Sequence, residues 1–279
     1  MSNGKLYICG TPIGNLEDMS FRVIRILKEV SIIYAEDTRH TIKLLNYFEI
    51  DNKLKSYHKH NKKTAGLEII KQLENGKQMA LVSDAGMPGI SDPGSDLINL
   101  CIERDIDFEV IPGPTAFVLG LIQSGMSTER FAFEGFLDRK KSLKEEQLEK
   151  IKSDNRTLVF YESPHRLKKT LKSMLKVLGN RKISISREIT KKFEEVIRLH
   201  LSEALDYYEE NDPRGEYVLT VEGNLEEEII EYNMPIKDHI IAVMAEGKSK
   251  KEAIKSVAKL RNINKNVVYK ESFDIALKD

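Results

Sequence analysis

Ser83-Asp84-Ala85-Gly86-Met87-Pro88-Gly89-Ile90-Ser91-Asp92-Pro93-Gly94 follows directly on the apolar run Gln78–Val82, and it decides how the rest of the chain is read. Twelve residues hold three Gly, two Pro and two Asp. The prolines stiffen the path, the glycines permit positive φ, and Asp84 places a carboxylate at the end of a strand. A plain strand-to-helix turn needs only about three or four residues, so a loop this long and this specialised reads as functional.

Two further Gly/Pro loops share its setting. Gly10-Thr-Pro-Ile-Gly14-Asn15 follows the apolar run Lys5–Cys9, and Ile111-Pro-Gly-Pro-Thr-Ala116 follows Phe108–Ile111. Neither matches GxGxxG or GxxxxGK[ST], which sets aside a nicotinamide oxidoreductase and a P-loop enzyme. Loops at the carboxyl ends of neighbouring strands converge on one crevice in an open parallel sheet. Their shared chemistry is one carboxylate, backbone amides and carbonyls, and small side chains. That suits holding a reactive cofactor rather than cleaving a substrate.

Outward from these loops, apolar runs alternate with amphipathic stretches. Ser31–Glu36 reads as a strand, and Phe21–Glu29 (N-cap Ser20), Thr38–Phe48, 64–75 and Ser95–Arg104 read as helices, giving a largely parallel sheet covered on both faces. Asn75-Gly76 is a helix-stop signal. A second α/β block has strands at Phe131–Phe136, Thr157–Tyr161, Ile183–Arg187 and Tyr217–Val221, a further strand candidate at Glu194–Leu201, and helices at Ser142–Lys152 and Pro164–Leu178. Gly120–Glu129 reads as the link between the blocks. Beyond Gly223 an acidic stretch, Leu225–Met234, leads to three short helices near Ile236–Ala245, Ser249–Leu260 and Asn264–Ala276. The expected domains are therefore 1–120, 121–224 and 225–279.

The 279 residues carry 44 basic and 44 acidic side chains, so no globally basic coat is present. The charge is nevertheless segregated. Ser163–Lys192 holds ten Lys/Arg against Glu188 alone, and Lys248–Lys270 holds eight against Glu252 alone, whereas Phe193–Asn233 is acidic. Each run alone could be a solvated helix face; two basic runs on different domains favour a polyanionic partner. No apolar run approaches the roughly 18 residues of a membrane span, and Met1–Lys5 shows no signal-peptide pattern. Cys9 and Cys101 lie apart in apolar stretches and read as small buried hydrophobes, consistent with a cytoplasmic, reducing setting. His58 and His60 lack a third ligand nearby, so no metal is expected; His58–Lys63 reads as a basic loop over the cleft.

Gly10–Leu16, Ala35-Glu-Asp-Thr-Arg39 and Val82–Gly94 resemble the tetrapyrrole-methylase fold, and within it the branch that methylates a cytidine 2′-hydroxyl in 16S ribosomal RNA. Val110–Ala116, Phe133–Leu137, Phe160–Arg166 and Ser186–Lys191 continue the resemblance, which covers roughly residues 5–223. It implies two α/β domains with S-adenosylmethionine in the cleft between them, a homodimer, and a small C-terminal helix-turn-helix-like appendage. Pro12, Asp84, Gly86, Met87, Ile90, Ser91, Thr115, Ala116 and Tyr161 would then line the cofactor site. Met87 departs from the Thr that many relatives carry.

A ribose hydroxyl is a weak nucleophile, so a base or oriented acceptor is sought among Glu36, Asp37, Glu162, His165 and Glu188. Glu162 and Glu188 could instead pair with Arg166 and Arg187. Arg39, Arg166 and Arg187 suit phosphate contacts or loop-tying in equal measure, and Lys250 and Lys251 would reach RNA from the appendage. The expected partner is small-subunit ribosomal RNA or the assembled subunit. The competing readings are a methylase of the same fold acting on a tetrapyrrole or a protein, and a non-catalytic RNA-binding protein.

Overall fold

Strict alternation along three buried strands builds the first core. In the computed structural model, which describes residues 4–225, 233–261 and 263–275, Ile32 and Tyr34, Leu6 and Ile8, and Met79 and Leu81 point to one face. Ile33 and Ala35, Cys9, and Ala80 and Val82 point to the other. A strand buried on both faces must be apolar throughout, and these are. β1 (Leu6–Cys9), β2 (Ile32–Ala35), β3 (Leu54–Ser56), β4 (Met79–Val82) and β5 (Phe108–Ile111) form a five-stranded sheet in the order β3-β2-β4-β1-β5. Every pairing is parallel.

Helices α1 (Phe21–Glu29) and α2 (Thr38–Tyr47) supply Val23, Ile26, Leu27 and Leu45 to one face. Helices α3 (Lys62–Glu74) and α4 (Ser95–Glu103) supply Ile69, Leu73, Leu97 and Cys101 to the other. Ser20 caps α1 by accepting the Val23 N–H at 3.1 Å. The arrangement creates a switch point: adjacent β1 and β4 send their following helices to opposite faces, so the chain parts above their carboxyl ends and leaves a crevice there.

The second sheet has the order β6-β7-β10-β8-β9, from β6 (Phe131–Phe136), β7 (Thr157–Glu162), β8 (Lys182–Arg187), β9 (Glu195–His200) and β10 (Tyr217–Val221). Among the described residues only β6 and β7 pair in parallel in this sheet, with a bulge between Phe133 and Gly135; the other pairings are antiparallel. Helices α6 (Lys141–Lys150), α7 (Pro164–Leu178) and α8 (Leu201–Glu210) cover one face through Leu148, Leu167, Leu171, Met174 and Ala204.

The other face is covered by α5 (Ala116–Ser124), which brings Leu121 against Val159 and Val218. Residues 120–124, expected in a link, thus belong to a helix on the second sheet. Gly120 is present because the helix lies close on the strand: a Cβ there would come within 2.5 Å of Val218 Cγ1. The described residues up to Asn224 form one compact unit and those after it a second.

The second unit is built from α9 (Ile236–Ala245), α10 (Lys250–Leu260) and α11 (Lys265–Lys270) around Ile240, Val243, Ile254, Val257 and Val268. Ser249 and Glu252 make a reciprocal capping box that starts α10. Residues 226–232 of the acidic stretch and residues 276–279, with the expected end of the last helix at Ala276, lie outside the described residues. Among the described residues no helix is long and apolar enough to cross a membrane. Cys9 and Cys101 are buried and unbonded.

Candidate active site

The three Gly/Pro loops meet at the switch point. Thr11 and Gly86 exchange backbone hydrogen bonds of 2.9 and 3.0 Å, fastening the β1 loop to the β4 loop. Ser83 Oγ donates to the Gly86 carbonyl at 2.9 Å, and Thr11 Oγ1 donates to the Ser83 carbonyl at 3.2 Å. A Cβ on Gly10 would fall 2.7 Å from Gly113 Cα, so the β5 loop closes against the first strand only because both residues lack side chains. Within the β4 loop Gly86, Gly89 and Ser91 hold φ of 81°, 86° and 64°. The positive values turn the chain so that Met87, Ile90 and Ser91 face the crevice.

The crevice is a cavity of about 550 Å³. Of the residues expected at a cofactor, Asp84, Gly86, Met87, Ile90, Ser91, Thr115, Ala116 and Tyr161 line it. Pro12 is buried and is not part of the lining. Tyr161 closes the second-sheet side: its hydroxyl accepts the Phe117 N–H at 3.1 Å, and its ring lies 4.9 Å from Phe133 and 5.5 Å from Phe136. Burial pushes the Tyr161 hydroxyl above its ordinary range.

The expected acid–base groups separate into distinct roles. Glu36, Glu162 and Glu188 line the cavity; Asp37 and His165 do not. Asp37 caps α2, accepting the Arg39 N–H at 2.9 Å and holding the Arg39 guanidinium at 2.7 and 3.0 Å. The Arg39 hydrogen bonds hold its carboxyl down at about 2. Glu162, 2% exposed, accepts the Ser163 N–H at 2.8 Å and lies 3.3 Å from Arg166 Nε. It also accepts the Thr170 hydroxyl. Glu188, at φ 50°, accepts the Lys191 ammonium at 2.9 Å and the Glu216 N–H at 3.0 Å. Burial works against its ionisation, but Lys191 and the Glu216 N–H outweigh it and lower its pKa.

The carboxylates of the cofactor loops behave differently. Asp84 Oδ1 accepts the Asp37 N–H at 2.9 Å, joining the β4 loop to the end of β2. Burial, then the charges of Glu36 and Asp84, push Asp92 up to about 6, against an opposing pull from Lys59. Glu36 is raised by burial and by Asp84. Among the described residues no three or more His, Cys, Asp or Glu side chains are grouped to hold a metal ion; His58 instead accepts the Asn61 N–H at 3.2 Å.

Of the cations expected to meet RNA, Arg39 has a 90% exposed side chain. Arg166 reaches the Leu137 and Asp138 carbonyls and Glu162, and Arg187 lies 3.3 Å from Glu195, so both are engaged within the chain. Lys250 donates to the Ile275 carbonyl at 2.8 Å, whereas Lys251 is exposed.

Sequence reasoning missed Ile13, Asp92, Phe136, Ser163, Lys191, Glu216, Tyr217 and Val218, all of which line the cavity. Asp92 and Phe136 stood inside quoted motifs and could have been chosen. Tyr217 and Val218 lie on an apolar strand that carries no loop signal.

A family model described as Tetrapyrrole (Corrin/Porphyrin) Methylases matches residues 5–205, more than half of the chain and all three loops. The chain belongs to this family. Within the tetrapyrrole methylases it is similar to a protein of Halalkalibacterium halodurans named Ribosomal RNA small subunit methyltransferase I, 51% identical over 270 residues, covering 95% of this chain and 93% of that protein. A protein of the same name from Thermotoga maritima is 44% identical over 220 residues, covering 79% of this chain and 99% of its own length. The fold is shared with a uroporphyrin-III C-methyl transferase from Thermus thermophilus, solved in complex with S-adenyl homocysteine. The TM-score is 0.57 at 16% identity, covering 78% of this chain and 97% of that one.

Proposed function

We propose that this tetrapyrrole-methylase member transfers the methyl group of S-adenosylmethionine to the ribose 2′-hydroxyl of a cytidine in small-subunit ribosomal RNA, acting in the cytoplasm as a homodimer. The observation that carries the reading is the near-full-length identity with a protein named for methylating that RNA subunit. The cavity supports it. Its volume lies within the roughly 300–1,000 Å³ that small-molecule sites span. Met87, Ile90, Ala116 and Val218 offer apolar wall, and Asp84 and Glu36 offer negative charge suited to a cationic donor.

The bound donor supplies a methyl group on a positively charged sulfur that leaves readily. The protein's work is therefore alignment and exclusion of water. Gly86, Met87, Ile90 and Ser91 hold the donor from the first sheet, and buried Pro12 belongs to the Gly10–Gly14 turn that Thr11 fastens to Gly86. Thr115 and Ala116 open α5 at the cavity edge. Tyr161, fixed by Phe117, forms the opposing wall. Val118 and Ile122, one helical turn apart on α5 and 40% and 63% exposed, form an apolar strip suited to a second copy.

RNA would be met by Arg39 and by Lys251, Lys255 and Lys259. These three recur every fourth residue on α10, opposite its buried Ala253, Ile254, Val257 and Ala258.

Calorimetric titration with S-adenosylmethionine should show one site per chain, and a flat titration at millimolar donor would remove the cofactor assignment. Asp84→Ala removes a charged acceptor and should weaken binding by about tenfold or more. Mapping 2′-O-methyl positions on small-subunit RNA from cells with and without the protein should reveal one missing cytidine modification; an unchanged map would refute the substrate.

A further inference from the structure

Among the described residues six carboxylates line the cavity, and four are already committed. Glu162 is bound by Ser163, Thr170 and Arg166, Glu188 and Glu216 share Lys191, and Asp84 holds the Asp37 N–H. Glu36 and Asp92 accept no hydrogen bond among the described residues. Of these two, Asp92 belongs to the loop that shapes the cavity, and the backbone around it is tightly constrained. Ser91 precedes it at φ 64°, the Pro93 ring follows, and Gly94 at φ 153° folds back on Gly89, where a Cβ would come within 2.9 Å of the Gly89 nitrogen. The segment also reaches the second sheet, since a Cβ on Gly135 would lie 3.6 Å from Ser91 Oγ. Asp92 thus stands where the cofactor loop meets the opposite wall of the cleft.

We propose that Asp92 is the catalytic residue that accepts the proton of the attacking ribose hydroxyl. This rests on the 2′-O-methyl transfer reading above and deepens it. As the oxygen–methyl bond forms, the methyl–sulfur bond breaks and its electron pair stays on sulfur, leaving a neutral thioether. The electron pair of the O–H bond returns to oxygen while the proton passes to the Asp92 carboxylate, which then releases it to water.

The surroundings suit the task. The groups acting on Asp92 are Glu36 from the end of β2, Asp84 from the end of β4 and Lys59 from the loop before α3, with Tyr161 of β7 facing it. Burial and the two like charges raise its pKa to about 6, where a carboxylate is more basic than usual yet largely ionised at neutral pH. Glu36 acts as a positioning charge that maintains this basicity.

The test uses the full chain, S-adenosylmethionine and small-subunit ribosomal RNA, naked and assembled, under single-turnover conditions. Asp92→Asn should slow transfer by about 100-fold or more, while the donor Kd measured by calorimetry stays within roughly threefold. The wild-type rate should fall as pH drops below about 6. Glu36→Gln should move that limb to lower pH, since removing a like charge makes Asp92 easier to ionise. A carboxyl carbon resonance titrating near that pH should vanish in Asp92→Asn and shift in Glu36→Gln.

Near-wild-type transfer by Asp92→Asn would overturn the proposal. So would loss of donor binding, which would make Asp92 a cofactor contact, or an acidic limb unmoved in Glu36→Gln. Wild-type protein inactive on both RNA substrates would instead sink the substrate reading, and Asp92's role with it.

Discussion

Glu162 separates a chemical group from a structural one, and the network around it gives the size of the effect. Lys144, 4% exposed, donates to Thr170 Oγ1 at 2.7 Å, and Thr170 in turn donates to Glu162. Burial lowers the Lys144 pKa, and the Glu162 charge opposes that fall. Arg166 lies against the same carboxylate and ties down the Leu137 and Asp138 carbonyls. One buried anion therefore balances two cations and fixes the start of α7.

In Glu162→Gln the shape and one acceptor oxygen remain, but the charge is lost. A hydrogen bond to a charged group contributes about 1–1.5 kcal/mol more than a neutral one. Two such bonds weaken, and Lys144 and Arg166 lose their shared counter-charge, giving an expected destabilisation of about 2–4 kcal/mol. For a unit of this size that corresponds to a fall in Tm of roughly 4–16 °C. Thermal and urea unfolding of the purified variant measure it directly. A variant with Tm within about 2 °C of wild type, folded and binding donor but unable to transfer methyl, would refute this reasoning and make Glu162 part of the chemistry.

Other expectations test different parts of the architecture. Gly120→Val should lower Tm, because overpacking against Val218 costs about 1–3 kcal/mol, and Val218→Ala should recover part of the loss; an unaffected variant would mean that residue 120 does not pack on the second sheet. Asp92 has a raised pKa in the folded chain, so the ionised carboxylate destabilises the fold and its protonation relieves this. The wild type then loses that relief as pH rises from about 4 through about 6. Asp92→Asn should accordingly raise Tm at pH 8 and lose the advantage near pH 4, and a gain independent of pH would contradict it. Removing residues after Asn224 should leave donor binding intact, because every described cavity-lining residue precedes that point. The same truncation should weaken RNA binding and flatten its salt dependence, and unchanged RNA binding would exclude the helical unit as an RNA contact.

Much of the fold was legible because its signals are local. Ser20 before Phe21, Pro164 after Ser163, and Ser249 three residues before Glu252 mark helix starts through hydrogen-bonding or ring geometry that each segment carries itself. Doubly buried strands are apolar throughout, so β1, β2 and β4 stood out. Where local signals were weak, the reading failed. β3 is three residues long with only Leu54 apolar, and α8 follows directly on β9 without a break. Gly120 stood at the start of the expected link, although its missing side chain serves contact with a strand nearly a hundred residues away.

The site divides along the same line. The sequence by itself determined the three loops, since Gly and Pro are required wherever a backbone takes positive φ or two loops touch, and that requirement is written into each segment. It also placed carboxylates around the cleft without distinguishing among them. Only the tertiary structure decided which of those acids meet a donor and which do not: Thr170 and Arg166 find Glu162, Lys191 finds Glu188, and Asp92 is left facing the cavity beside Glu36. A carboxylate's role depends on burial and on charges brought from distant strands, and no local pattern encodes either.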